Sequence, residues 1–188
     1  MNPDDVAYRC NLVCLGDKDT DSAFMEDFTA GHISSAEASQ IIYDLNRKFN
    51  SPLYQFFAGV GYRHLLVWRN ATASPRTTPP HDITGQPVAQ YLPQGDFAAE
   101  IRELMSEAAV FLKDHPVNVR RREEGEKEAN SIWPWGQGKK PLIVPFTEKY
   151  DFKGGMISAV DLLNGLGINA GLKPLTVEGA TGYIDPTY

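Results

Sequence analysis

Two stretches of the chain space their apolar residues for a helix, and they bracket a segment that does not. Ala38, Ile41, Ile42, Leu45 and Phe49 form one stripe; Phe97, Ile101, Leu104, Met105, Ala108 and Leu112 form the other. Ser34-Ser35-Ala36-Glu37 has the pattern of a capping box and opens the first helix; Asn50-Ser51-Pro52 closes it. Asp96 is placed to cap the second, which runs from Phe97 to about Asp114 and stops at His115-Pro116. Between them lie two aromatic and β-branched runs, Leu53–Ala58 and Tyr62–Trp68, joined by Gly59-Val60-Gly61. That is the signature of a hairpin.

The flanks add further short elements. Tyr8–Leu15 alternates, with Tyr8, Cys10, Leu12 and Cys14 on one face and Arg9, Asn11 and Val13 on the other. A turn over Gly16–Asp19 leads to a second strand, Phe24–Thr29. Later come a short strand at Leu142–Phe146, a helix at Ile157–Leu166 and a last strand at Leu175–Val177. The order β-β-α-β-β-α-loop-β-α-β predicts an α+β fold. The expected architecture is a two-layer sandwich, a ferredoxin-like variant: a mixed β-sheet of about five or six strands with helices on one face. We expect one domain over residues 1–188, with long loops at 70–95 and 115–141.

Several function classes are disfavoured. The net charge of −6 argues against nucleic acid as the main partner. No apolar run reaches transmembrane length, so no membrane partner is expected. Cys10 and Cys14, four apart in one strand, would sit about 13 Å from each other. That is too far for a disulfide, and no other cysteine is present to build a zinc site, so we expect reduced core cysteines and a cytoplasmic setting. No glycine-rich phosphate loop or nucleophile elbow appears. The histidines at 32, 64, 81 and 115 stand singly. We expect neither a catalytic residue nor a metal ligand here.

Three places carry chemistry. The stretch from His115 to Pro141 has no regular period, packs Arg120, Arg121 and Arg122 together, and sets Trp133 and Trp135 before Gly136-Gln137-Gly138-Lys139-Lys140. Guanidinium forks and glycine-exposed N–H groups bind phosphates or carboxylates, so an anion-binding loop is one reading. A solvated charged loop stapled to the core by its indoles is the other. In Tyr62–Trp68, Arg63 and His64 fall on opposite faces, so one must point inward. Arg63 is either a buried charge with an anionic partner or an edge-strand charge in water. His81-Asp82 could bind a polar substrate or move a proton, or be loop surface.

Several motifs together resemble one family. They are Arg9-Cys10-Asn11-Leu12-Val13, Ala30-Gly31-His32-Ile33-Ser34, Gly61-Tyr62-Arg63-His64-Leu65 and Pro80-His81-Asp82-Ile83. With them go Asn118-x-x-Arg121 with Gly125, Asn130-Ser131-Ile132-Trp133-x-Trp135-Gly136-Gln137-Gly138, Ile157–Leu163 and Gly179-Ala180-Thr181-Gly182. This set resembles the archaeal-type, cofactor-independent (2,3-bisphosphoglycerate-independent) phosphoglycerate mutases of the alkaline phosphatase superfamily. The resemblance implies a parent that interconverts 3- and 2-phosphoglycerate through a phosphoserine, with two divalent metals, manganese, magnesium or zinc. It also implies that this chain lacks the serine and the metal ligands. The chain then looks like the inserted substrate-binding lid, inactive alone, whose partners are a small phosphorylated carboxylic acid and the metal-binding core domain of the same polypeptide.

On that resemblance Arg63 and Arg121 are the expected anion clamps. His81 and Asp82 would contact the glycerate hydroxyls or relay a proton. Asn118, Trp135 and Gln137 would shape the pocket wall, with Arg9 and His32 as further contacts. Arg120 and Arg122 depart from the family pattern and are taken as solvated charge. Asp185-Pro186-Thr187-Tyr188 departs from it too. A lid for another small phosphate-bearing substrate, or a freestanding ligand-binding module, remain alternatives.

Overall fold

An eleven-residue strand, Val6–Gly16 (β1), is the spine of the sheet, and every other long strand is paired to it directly or through one neighbour. The computed structural model describes residues 1–16, 23–71, 75–159 and 161–177, and of Asp161 only the backbone. The turn expected after Gly16 and the terminal segment Gly179–Tyr188 lie outside the described residues. The chain divides into two units, Met1–Lys140 and Pro141–Tyr188.

In the first unit, β1 is followed by Phe24–Asp27 (β2), helix Ser35–Phe49 (α1), the hairpin Tyr54–Phe57 (β3) and Arg63–Trp68 (β4), helices Ala98–Lys113 (α2) and Pro116–Glu123 (α3), and Ser131–Lys139 (β5). The sheet runs β2-β1-β4-β3, with β5 on β1 as well, and every pairing in it is antiparallel. The α+β class and the hairpin therefore stand. The faces separate as the alternation predicts as far as Cys10; beyond it Asn11 and Val13, on the other face, are buried too. Tyr8, Cys10, Leu12, Phe56, Leu66 and Trp68 are buried in one cluster with the stripes of α1 and α2. The capping box of α1 forms: the Ser34 hydroxyl accepts from the Glu37 N–H, and the Glu37 carboxylate accepts from the Ser34 N–H. Asn46 ties this helix to the sheet by bonding both backbone groups of Phe56, one on each side of its amide.

Some expectations are corrected. Asp96 does not cap α2; Phe97 holds the cap position at φ 66, with no side-chain cap bond, and its ring packs edge-on against Trp68 at 4.7 Å. Aromatic packing, not a polar cap, fixes how the chain enters this helix. Residues 115–141 are not one loop. His115 closes the preceding helix and caps α3, its Nδ1 accepting from the Val117 N–H, with Pro116 at the first helical position. The Trp133-Pro134-Trp135 run is strand: among the described residues β5 pairs only with β1, which leaves its other edge open, and there a proline that cannot donate is tolerated. The described residues of the 70–95 segment form a loop as expected, with short 3-10 turns at Pro80–Ile83 and Ala89–Tyr91. It is stitched to β2 by Met25 N–H to Gln86 O, Gly85 N–H to Met25 O, and Val88 N–H to Ala23 O.

The second unit contains helix Phe146–Tyr150 (α4), Gly155–Met156 (β6), helix Asp161–Asn169 (α5) and Lys173–Pro174 (β7). Here β6 and β7 pair in parallel. The strand expected at Leu142–Phe146 is absent; Pro141 and Pro145 bracket that run, and a helical turn starts at Phe146. The helix expected at Ile157–Leu166 starts and ends later, and the final strand lies at Lys173–Pro174 instead of Leu175–Val177.

Candidate functional site

Strand register puts the candidate side chains on one surface. Arg9 stands opposite Leu65 and Trp135, and Asn11 stands opposite Arg63 and Trp133. Residues directly opposite in a pleated pair share a face. This is the sheet face turned away from α1 and α2. His64, next to Arg63, points into the core with 4% of its surface exposed, so Arg63 is the outward member of the pair. His64 Nδ1 accepts from the Gly59 N–H, and burial lowers the imidazole pKa to about 4, leaving it neutral near pH 7.

A chain of ring contacts runs across the outer face. The Arg9 guanidinium lies over the Trp135 ring at 4.8 Å. The His81 ring meets the same indole edge-on at 5.3 Å and Phe28 at 6.0 Å. Phe28 meets Tyr62 at 5.8 Å, and the Arg63 guanidinium covers Tyr62 at 4.2 Å. Asp82 sits 3.5 Å from His81 Nε2, both side chains open to water. The Trp135 indole N–H donates to Asn11 Oδ1, and Asn11 Nδ2 donates to the Phe28 carbonyl, so one buried amide holds the two aromatics in place. The register of β5 against β1 slips between Ala7 and Arg9, where Gly136 takes φ 58. A glycine bulge of this kind twists the strand and re-aims its neighbours.

Gln137 is committed to the loop: its amide donates to the Pro75 carbonyl and its oxygen accepts from the Thr77 hydroxyl. The Trp133 indole donates to the Thr78 carbonyl. These bonds fasten the start of the 75–95 loop to β5, and that loop carries His81 and Asp82. His32 is exposed at φ 52 in the turn after β2. The Asp27 carboxylate organises this turn by accepting from Thr29 and Gly31, and the His32 N–H donates to the Thr29 hydroxyl. Burial pulls the Asp27 pKa up, but those donors outweigh it and hold it below the usual carboxylate value.

Asn118 and Arg121 are engaged elsewhere. Asn118 is wholly buried; its amide donates to the Leu112 and Ala129 carbonyls and accepts from the Ala129 N–H. Arg121 is 3% exposed and spends its donors on the Lys127 carbonyl, the Ala30 carbonyl, Glu37 and Glu126. It does hold an anion, but the anion belongs to the same chain. Arg120 and Arg122, expected as solvated charge, are half exposed yet paired, to Glu37 and Glu128.

The arginines sort into two kinds. Of the nine in the chain, all among the described residues, seven have a hydrogen bond or ion pair to protein groups. Among the described residues, Arg9 and Arg63 have only the ring beneath them. Stacking fixes a guanidinium plane while leaving its N–H fork free, the geometry suited to a carboxylate or phosphate. Asn11, Phe28 and Tyr62 join this group without having been singled out from the sequence. A polar Asn11 in the middle of an apolar strand was the one local signal.

Among the described residues no group of three or more His, Cys, Asp or Glu side chains could hold a metal ion. No described helix is long and apolar enough to cross a membrane.

The family described as 2,3-bisphosphoglycerate-independent phosphoglycerate mutase matches residues 1–118. The chain is 46% identical over 186 residues to a protein of that description from Methanosarcina barkeri, covering 98% of this chain and 46% of that protein. It is 46% identical over 190 residues to the second such protein of Methanothermobacter thermautotrophicus, covering 100% of this chain and 46% of the other. It thus spans about half the length of the curated relatives it matches. Among solved structures it resembles the PH0037 protein of Pyrococcus horikoshii, with a TM-score of 0.69 and 25% identity over 100% of this chain and 42% of that one. The cofactor-independent phosphoglycerate mutase of Thermoplasma acidophilum shares the fold at a TM-score of 0.64 and 24% identity, over 95% of this chain and 48% of the other.

Proposed function

The chain belongs to the 2,3-bisphosphoglycerate-independent phosphoglycerate mutase family, and from that premise we propose that its first unit is the substrate-gripping lid of such an enzyme. The full-length polypeptide would interconvert 3- and 2-phosphoglycerate through a phosphoserine carried on the part outside this chain. Divalent cations, manganese, magnesium or zinc, would be held there too. Among the described residues no group of three or more His, Cys, Asp or Glu side chains could hold them.

One observation carries the reading. Arg9 and Arg63 are the two arginines whose forks find no acceptor among the described residues; Arg9 is stacked on Trp135, the indole that the loop's His81 also meets, and Arg63 on Tyr62. A small acid with two anionic ends suits two such forks, one at the carboxylate and one at the phosphate. His81 and Asp82 are exposed beside Trp135 and would contact the glycerate hydroxyls. Trp135 is the wall of the site. Gln137 and Asn118 shape it indirectly, Gln137 by holding the loop and Asn118 by holding the approach to β5. His32 stands in the adjoining turn. When the phosphoryl group has left the substrate, the glycerate must stay bound and turn; a lid that grips its carboxylate and excludes water does this. Arg121 has no free fork for this task. The free buried thiols of Cys10 and Cys14 accord with a cytoplasmic enzyme.

The test is mutase turnover of the full-length polypeptide with 3-phosphoglycerate. Arg9→Ala and Arg63→Ala should each lower kcat/KM by roughly 100-fold, while Arg122→Ala leaves it unchanged. Unaltered turnover in both Arg9 and Arg63 variants would remove this face from substrate binding.

A further inference from the structure

The imidazole of His64 occupies a place where an apolar side chain would serve the core better. It is buried on the inward face of β4, and its Nε2 finds no partner among the described residues. With Nδ1 accepting, the neutral ring carries its proton on Nε2. A buried N–H without an acceptor lowers stability, and a leucine at this position would bring no such group. What the ring does that a leucine could not is accept a hydrogen bond: Nδ1 takes the Gly59 N–H at 3.1 Å.

Gly59 opens the turn between β3 and β4, and that turn is tied down along its length. The Gly61 N–H donates to the hydroxyl of Ser35, the first residue of α1, at 2.9 Å. The Tyr62 carbonyl accepts from the Leu12 N–H, and the Val60 carbonyl from the Arg63 N–H. Gly59 approaches the Arg63 carbonyl so closely that a Cβ would strike it. Two of these ties end on side chains, one from the core and one from the helix.

The turn leads directly into the Arg63 stack. Tyr62 is followed at once by Arg63, the first residue of β4, and the Arg63 guanidinium covers the Tyr62 ring at 4.2 Å. Neighbours in extended chain point to opposite sides and cannot stack in this way. A bend at Tyr62 is therefore what puts the ring beneath the guanidinium, and the bend is set by where Gly59 and Gly61 are held.

We propose that His64 and Ser35 are positioning residues for Arg63: by holding Gly59 and Gly61 they shape the turn that lays the guanidinium on Tyr62. Neither is asked to touch a ligand. Their effect on turnover rests on the substrate reading above; their effect on the stack does not.

Two readouts on the full-length polypeptide test this. The first is the NMR resonance of the Arg63 Nε–H in arginine-labelled protein, assigned by its loss in Arg63→Ala. Lying over the Tyr62 ring, it should be displaced upfield. It should return towards the position of a free arginine in His64→Leu and stay upfield in His64→Asn, whose side-chain oxygen can replace Nδ1 as acceptor. An unmoved resonance in His64→Leu overturns the proposal, whatever the kinetics. Ser35→Ala, on the surface and so harmless to the core, cuts the second tie and should move the resonance the same way; if His64→Leu fails to fold, no movement in Ser35→Ala overturns it instead. The second readout is kcat/KM with 3-phosphoglycerate. His64→Leu should lower it by about 10-fold, His64→Asn should restore most of the loss, and His64→Leu added to Arg63→Ala should cost nothing more. Losses that multiply would mean general damage and overturn the role through Arg63. Full turnover in Arg63→Ala together with a displaced resonance in His64→Leu would sink the substrate reading and leave the positioning role standing.

Discussion

Arg121 reaches back 84 residues to Glu37, its Nη1 lying 3.1 Å from the Glu37 carboxylate oxygen. The pair joins α3 to the start of α1. Its neighbours complete it: Nε donates to the Lys127 carbonyl and Nη2 to the Ala30 carbonyl. Removing one member of a buried pair leaves the other charge and several acceptors without partners. Arg121→Ala should therefore destabilise the chain by about 3 kcal/mol, read as a shift in the urea midpoint. A loss below about 1 kcal/mol would mean that the contact behaves as a surface ion pair.

Glu37 sets an acid limit on stability. Burial raises its pKa, but the Ser34 hydroxyl and N–H, Arg120 and Arg121 together bring it down from 4.5 to about 2. A carboxyl depressed in the folded state adds stability that is complete above its unfolded pKa. That stability disappears as pH falls through the folded value. The contribution should decline from about pH 4.5 and be gone near pH 2. Denaturation midpoints measured across this window should fall more steeply for the natural chain than for Glu37→Gln. Parallel slopes would show that the carboxylate is not held in this way.

Gly136 separates conformation from space. Its φ is 58, and an added Cβ would meet only the Arg9 side chain, 3.6 Å away at the nearest atom. There is room for alanine, so the cost is backbone strain alone. Gly136→Ala should destabilise by about 1 kcal/mol in chemical denaturation. If stability is unchanged, the bulge does not require a left-handed residue.

The helical stripes, the capping box and the hairpin were legible because each is written within a few neighbouring residues. Their periodicity is the physical cause of burial. The 115–141 segment was not. An eight-residue helix carrying three arginines has little apolar stripe, and in Trp-Pro-Trp-Gly the proline and glycine mask the strand preference of the two tryptophans. What makes the second of these a strand is the open hydrogen-bonding edge of β1, a residue run more than a hundred positions away.

The sequence by itself determined where helices and the hairpin form, which strand face is apolar, and which residue types could grip an anion. Tertiary structure decided which of them remain able to do so. Arg63 and Arg121 carry the same side chain and sit in comparably specific motifs. Folding brings Glu37 and two carbonyls to Arg121, and brings only the face of Tyr62 to Arg63. A guanidinium is available to a ligand only if the fold supplies it with no other acceptor, and such partners arrive from distant parts of the chain that no local pattern records.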